Sequence, residues 1–295
     1  EFDKRDKFNI RKKLEYLRYL NIGMNESGKV LVRDVIDVIR SFAPENVQES
    51  WDNSGLSVGD ADAEVTGVLV GFDCTPELVD EAVECGANLI VTHHPLIFSA
   101  LRRVTPDDAV GLAVMKAIRG GVAIYSAHTS ADKVVGGVSW AMARRIGLEN
   151  VAILDVDGSV CGPDGQECGL GIVGDFPEPV PAEKAVEIVK SAFRVPYVKT
   201  SRLWPGLMIS RVAACGGSGS SLIAKAREAG AQLYVCGDIS YHHFFTPEGF
   251  ILMDVGHYES EIDIVDILFS LIRKNFHTFA VRITRLDYTN PIYYF

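Results

Sequence analysis

The chain has 295 residues, 47% of them hydrophobic, with 29 basic and 39 acidic side chains and a formal net charge of -10. That composition supplies one large α/β core or two modest ones, and its acidic balance argues against a protein that works mainly by neutralising nucleic-acid phosphates. No apolar run is long enough to span a bilayer and no apolar signal region opens the sequence, so a cytoplasmic protein is expected.

Residues 1–23 are basic and precede Met24, and they read as a vector-derived or alternative-start extension in which Leu14, Leu17 and Leu20 fit a short amphipathic helix. From Leu31 to Phe42, Val32, Val35, Ile36 and Ile39 recur at helical spacing. VTGVLVGF (65–72) reads as a strand, and Thr75-Pro76-Glu77 opens a helix that Gly86 closes. ANLIVTHH then forms a second strand, whose unbroken apolar run marks a parallel strand covered on both faces. PDDAVGLAVMKAIRGG gives a further helix with a glycine stop, and VAIYSA a further strand. This alternation predicts an α/β fold with mostly parallel sheets.

Laying residues 68–91 without gaps on residues 212–235 superposes Val68, Leu78, Ala82, Glu84, Gly86, Ala87, Leu89 and Val91 on identical residues. A duplicated βαβ unit follows, hence two related lobes. The expected division is a first α/β lobe at 24–155, a Gly- and Pro-rich connecting segment at 156–208 with one helical pattern, and a second α/β lobe at 209–295 that completes the functional site. HTFAVRI reads as a last strand and NPIYYF as an aromatic tail packed on the body. The six cysteines, Cys74, Cys85, Cys161, Cys168, Cys215 and Cys236, show no C-x-x-C spacing and read mostly as reduced core thiols.

Chemistry gathers at strand ends. His93 and His94 close the second strand, where side chains of a parallel sheet open into the functional crevice; alone, such a pair is as well explained by two capped histidines. SAHTSAD ends the next strand and sets His128 and Asp132 four residues apart, and MDVGHYESEIDIV places His257 at a helix start with Glu261 one turn on. Glu259, two residues on, points elsewhere. Three histidines and two carboxylates, His93, His94, Asp132, His257 and Glu261, suit an open two-metal site in which the carboxylates bridge ions about 3.5 to 4 Å apart. Mixed nitrogen and oxygen ligation suits zinc, iron, manganese or cobalt. Gly216 to Ser221 reads either as an anion cradle or as a tight turn. Trp51-Asp52-Asn53 reads as a turn with a packed indole, and His242 and His243 either line the cleft or cap a helix.

ESWDNSGLSVGD, NLIVTHHPLIF, IYSAHTSADKVVGGV, VAACGGSGSSLIAKA, CGDISYHH and MDVGHYESE, in this order, resemble the successive signatures of the NIF-three-like dinuclear metal-centre family, whose members are commonly labelled GTP cyclohydrolase I type 2 homologues. The resemblance covers the chain from about Val30 onward. It implies two divalent metal ions per chain on His93, His94, Asp132, His257 and Glu261, with His128 behind them orienting Asp132 or a bound water. It also implies a toroidal homohexamer whose sites face an interior cavity, and a cleft-lining role for Asp52 or Asn53. The expected activity is hydrolysis of a small molecule, nucleotides included, by a metal-activated water, with His128 or Tyr125 handling a proton. The alternative is a non-catalytic metal-binding scaffold or regulator.

Overall fold

The computed structural model describes residues 29–160, 162–286 and 290–293. The basic extension, with its leucine pattern, and Cys161 lie outside them. Helix α1 (Val32–Arg40) buries Val32, Val35, Ile36 and Ile39, and the Asp34 carboxylate closes its first turn by accepting from Leu31 N at 2.7 Å. After β1 (Gly55–Val58), the first βαβ unit runs β2 (Gly67–Gly71), α2 (Pro76–Glu84), β3 (Leu89–Thr92). Thr75 caps α2 through its hydroxyl, with Pro76 in the first turn where no N–H is needed. Helix α3 (Ala109–Gly120) starts on the Asp108 carboxylate and stops at left-handed Gly121, and β4 (Ala123–Ser126) follows.

The first sheet has the order β1-β4-β3-β2-β11, where β11 is Ala280–Ile283. Its β4-β3-β2-β11 pairs are parallel, and only β1 is antiparallel. Alternate residues of the apolar strands enter two different cores. Val68, Val70, Leu89 and Val91 pack under α1, and Leu69, Ile90 and Ile124 pack under α2 and α3. Both faces are covered, which is why the strands read as continuous apolar runs.

Helices α4 (Thr129–Asp132) and α5 (Val138–Ile146) lead to the second sheet, ordered β5-β6-β8-β9-β10-β7. Its strands are β5 (Glu149–Val156), β6 (Gly169–Pro181), β7 (Lys199–Thr200), β8 (Met208–Ser218), β9 (Leu233–Gly237) and β10 (Ile251–Asp254), with α6 (Ala182–Phe193) after β6 and α7 (Ile223–Glu228) between β8 and β9. A parallel centre, β8-β9-β10, is flanked by antiparallel strands. The duplication is visible in the register: Val68 pairs with Leu89 in the first sheet and Val212 pairs with Leu233 in the second, the same offset in both units.

Residues 156–208 are more than a connection. They carry β6 and α6, and β6 pairs with both β5 and β8. Proline and glycine are tolerated there because the pairing shifts register between Asp175 and Val180. The last strand, β11, joins the first sheet beside β2, drawn there by α9 (Asp263–Asn275), whose Ile264, Leu268 and Ile272 belong to the α1 core. Of the aromatic tail, Ile292 and Tyr293 are exposed, and Asn290 is tied to Glu259. Cys168, Cys215 and Cys236 are buried, and Cys74 and Cys85 half-buried. Among the described residues no helix is long and apolar enough to cross a membrane.

Candidate metal centre

Both sheets turn the C-terminal ends of their parallel strands toward one crevice. At the end of β3 the amides of His93 and His94 both donate to Phe72 O, at 3.2 and 3.1 Å. This shared acceptor breaks the strand alternation, so two adjacent rings face the same side with centroids 5.0 Å apart. Thr92 and Ser126 hydroxyls fix the turn by donating to His94 O at 2.8 and 3.1 Å. At the end of β4, His128 stands at the N-cap position of α4, so Asp132 sits in a one-turn helix. At the end of β10, Gly256 adopts a left-handed φ of 95° and His257 opens α8 (His257–Glu261). A Cβ on Gly256 would strike Glu259, which points away from the crevice toward Asn290. Each half thus contributes a His-x-x-x-acid turn after its third strand, His128 with Asp132 and His257 with Glu261.

Every one of these four histidines is held at Nδ1. His93 donates to Ala127 O at 2.8 Å, and His94, His128 and His257 meet Asp73, Asp52 and Asp238, each at 2.7 Å. A carbonyl can only accept, so His93 carries its proton on Nδ1 and turns the lone pair of Nε2 inward, the arrangement that orients imidazole ligands. Asp52 also accepts from Thr129 N at 3.0 Å. Burial works against its charge, but the bonds from His128 and Thr129 hold it well below the usual carboxylate range. Asp73 and Asp238 went unread in the sequence as supports. Their signal was positional: each follows a strand end, and Asp238 lies opposite His94 in the duplication.

The inward atoms converge. Glu261 Oε2 lies 3.0 Å from His257 Nε2, 3.2 Å from His94 Nε2 and 3.7 Å from His93 Nε2, and Asp132 Oδ1 lies 3.6 Å from His93 Nε2. His94 Nε2 and His257 Nε2 are 3.3 Å apart. Three groupings, His93-His94-His128, His94-His257-Glu261 and His93-Asp132-Glu261, each bring their ligand atoms within 4.8 Å of one another and could hold a metal ion. Two buried atoms, His93 Nε2 and Asp132 Oδ1, have no hydrogen-bond partner. An unpartnered buried acceptor is costly, and a cation between them satisfies both, so the donor set fits a metal. Without one, burial pushes Asp132 up to about 6, while burial of Glu261 is overcome by the bonds from His257 and His94, which hold it well below its ordinary value.

The glycine-rich stretch belongs to this centre as a close approach. Gly217 has a φ of 59°, and a Cβ there would run into Glu261 Oε1. The amides of Gly216 and Gly217 donate to Ser139 and Ser260 hydroxyls, so they are already committed and cradle no anion. Tyr125 is not brought to the cluster. It is buried, its hydroxyl donates to Glu45 Oε1 at 3.0 Å, and burial followed by the Glu45 charge raises the phenol far above its ordinary value. His242 and His243 are exposed on a 3-10 turn (Tyr241–Phe244), apart from the centre. A cavity of about 540 Å³ opens over the cluster, with Trp51, Phe98 and Leu222 among its apolar walls and no lysine or arginine in its lining.

Comparison with known proteins agrees over nearly the whole chain. The protein named GTP cyclohydrolase 1 type 2 homolog of Clostridium perfringens is 34% identical over 234 residues, 78% of this chain and 86% of that one. NGG1-interacting factor 3 of Saccharomyces cerevisiae is 34% identical over 220 residues, 69% of this chain and 76% of that one. The solved structure of a hypothetical protein of Staphylococcus aureus aligns with a TM-score of 0.79 at 28% identity, covering 90% of this chain and 99% of that one. A Bacillus cereus protein related to NIF3 shares the fold with a TM-score of 0.81 at 23% identity and the same coverage. A sequence profile of the family Duf34/NIF3 (NGG1p interacting factor 3) matches residues 30–291, and the chain belongs to that family.

Proposed function

We propose that the chain is a metal-dependent hydrolase of a small molecule, with His93, His94, Asp132, His257 and Glu261 holding two divalent cations drawn from zinc, iron, manganese or cobalt. The observation that carries this reading is the pair of buried, unpartnered atoms His93 Nε2 and Asp132 Oδ1 beside two imidazole nitrogens facing each other at 3.3 Å. Bound there, such cations supply Lewis acidity that acidifies water and polarises an electrophile. The protein's own groups do the rest. Asp132 and Glu261 each have a second oxygen for bridging, and Asp73 and Asp238 keep His94 and His257 aimed inward. His128, fixed at Nδ1 by Asp52 and lining the cavity, has Nε2 left to take or return a proton. A nucleotide substrate is supported by the name of the Clostridium perfringens relative, GTP cyclohydrolase 1 type 2 homolog.

The test is metal content by plasma mass spectrometry on protein purified without chelators. Two ions per chain, falling below one in His257→Ala together with lost turnover, is the expected outcome; full hydrolysis by the variant defeats the reading. A second reading, a metal-held scaffold or regulator, draws on the name of the yeast relative, NGG1-interacting factor 3. The same proposal includes a cytoplasmic toroidal homohexamer. Light scattering separates the readings: an enzyme stripped of metal loses rate and keeps its mass, whereas a scaffold loses its assembly.

A further inference from the structure

We infer that Trp51 and Phe98 form a stacking jaw that holds a flat, uncharged heteroaromatic ring against the metal cluster, which specifies the substrate class and rests on the hydrolase reading above. Trp51 is 57% exposed and Phe98 54% exposed, with centroids 5.9 Å apart and planes inclined by 56°. Two large aromatics side by side in water at the mouth of a cavity do no packing for the core, and such pairs mark binding sites. Each ring also lies 6.1 Å from His128, whose own centroid is 5.4 Å from both His93 and His94. His128 is thus the ring that neighbours both the jaw and the two ligand imidazoles.

The jaw is rigidly mounted although its faces are wet. Asn53 Nδ2 donates to Ile97 O at 2.6 Å and so ties the Trp51 turn to the Phe98 loop. Glu49 N donates to Thr129 Oγ1 at 2.9 Å, Asp52 N to Glu49 O at 3.0 Å, and Ser54 N to Gln48 Oε1 at 2.7 Å, which pins the turn on both sides of Trp51. Such preorganisation lowers the ordering cost of binding.

Away from the cluster itself, charge offers an anionic ligand no partner. The lining contains no lysine or arginine, and of its carboxylates Glu49 is already met by Lys133 Nζ at 2.9 Å while Asp132 and Glu261 face the cluster. The lining also offers the hydroxyls of Ser218 and Ser221, which can hydrogen-bond a sugar or amide but cannot neutralise a triphosphate.

The test pairs guanosine and adenosine with GTP, as neutral and anionic ligands of like ring, titrated calorimetrically into metal-stripped and metal-loaded protein. The expected result is that a nucleoside binds both forms, that GTP binds the stripped protein no more tightly, and that Trp51→Ala and Phe98→Ala each weaken the nucleoside about tenfold. Metal content and melting temperature stay at wild-type values, since both side chains are exposed. No binding by either nucleoside at millimolar concentration, affinity indifferent to both substitutions, or GTP bound at least tenfold more tightly by stripped protein overturns the jaw. Binding to stripped protein is read without any ion, so loss of the metal reading with the stacking intact, and the reverse, are separate results.

Discussion

His94 and His257 carry the acid-base consequence of the centre. Burial opposes their charged forms, but bonds to Asp73 and Glu261 hold His94 up at about 10, and bonds to Glu261 and Asp238 hold His257 up at about 9. Both are raised from 6.5, so in the metal-free chain they stabilise the fold fully below pH 6.5, and that contribution is lost as pH climbs through 9 and 10. At pH 7 both carry protons that a cation must expel. Uptake of zinc is therefore expected to tighten with rising pH and to release about two protons per chain; calorimetry in buffers of different ionisation enthalpy reads this, and buffer-independent heat contradicts it. Asp73→Asn and Asp238→Asn are each expected to weaken ion binding by about 10- to 100-fold through loss of ring orientation, measured by competition with a chelating dye. At this scale, the ligand candidates could be read from sequence because each sits beside a strand end. Tyr125 misled because a residue three before His128 in the chain points to the other side of the sheet, and Asp73 was invisible because its role depends on β2 and β3 being neighbours.

Helices and strands of the two duplicated units were legible, since apolar period, caps and glycine stops all agree there. Strand β6 was not, because its Gly and Pro content hides a long antiparallel strand with a register shift, and β11 gave no local sign of which sheet it joins. The glycine-rich end of β8 is where element geometry meets the centre. Gly217→Ala is expected to displace Glu261, to cost about 1–3 kcal/mol and to lower ion content. Gly230, with a φ of 77° and open space around its Cβ position, serves as the control; Gly230→Ala is expected to cost about 1 kcal/mol with ion content unchanged. Equal ion content in both variants would remove the close-approach account. In the covered sheet, Ile90→Ala is expected to lose about 2–5 kcal/mol in chemical denaturation, because Ile90 is fully buried under α2 and α3.

The whole molecule joins the two sheets through a few shared groups. Ion binding adds stability by mass action, about 2.7 kcal/mol at a free concentration of 100 Kd, so stripping the protein should lower its melting temperature and zinc should restore it; an unchanged melt argues against a shared site. The duplicated architecture was readable in the chain as a repeated pattern, and so was a site shared by the halves, but the return of α9 and β11 to the first sheet was not, because that pairing leaves no local trace in either segment. That crossing has a temporal side. A chain emerging from the ribosome presents His93, His94 and Asp132 long before His257 and Glu261 exist, and β2 waits at a sheet edge until Ala280–Ile283 arrives. An ion held by the full set is thus a mark of finished synthesis, and a chain cut short before residue 257 keeps the trio His93, His94 and His128 but neither grouping that needs Glu261.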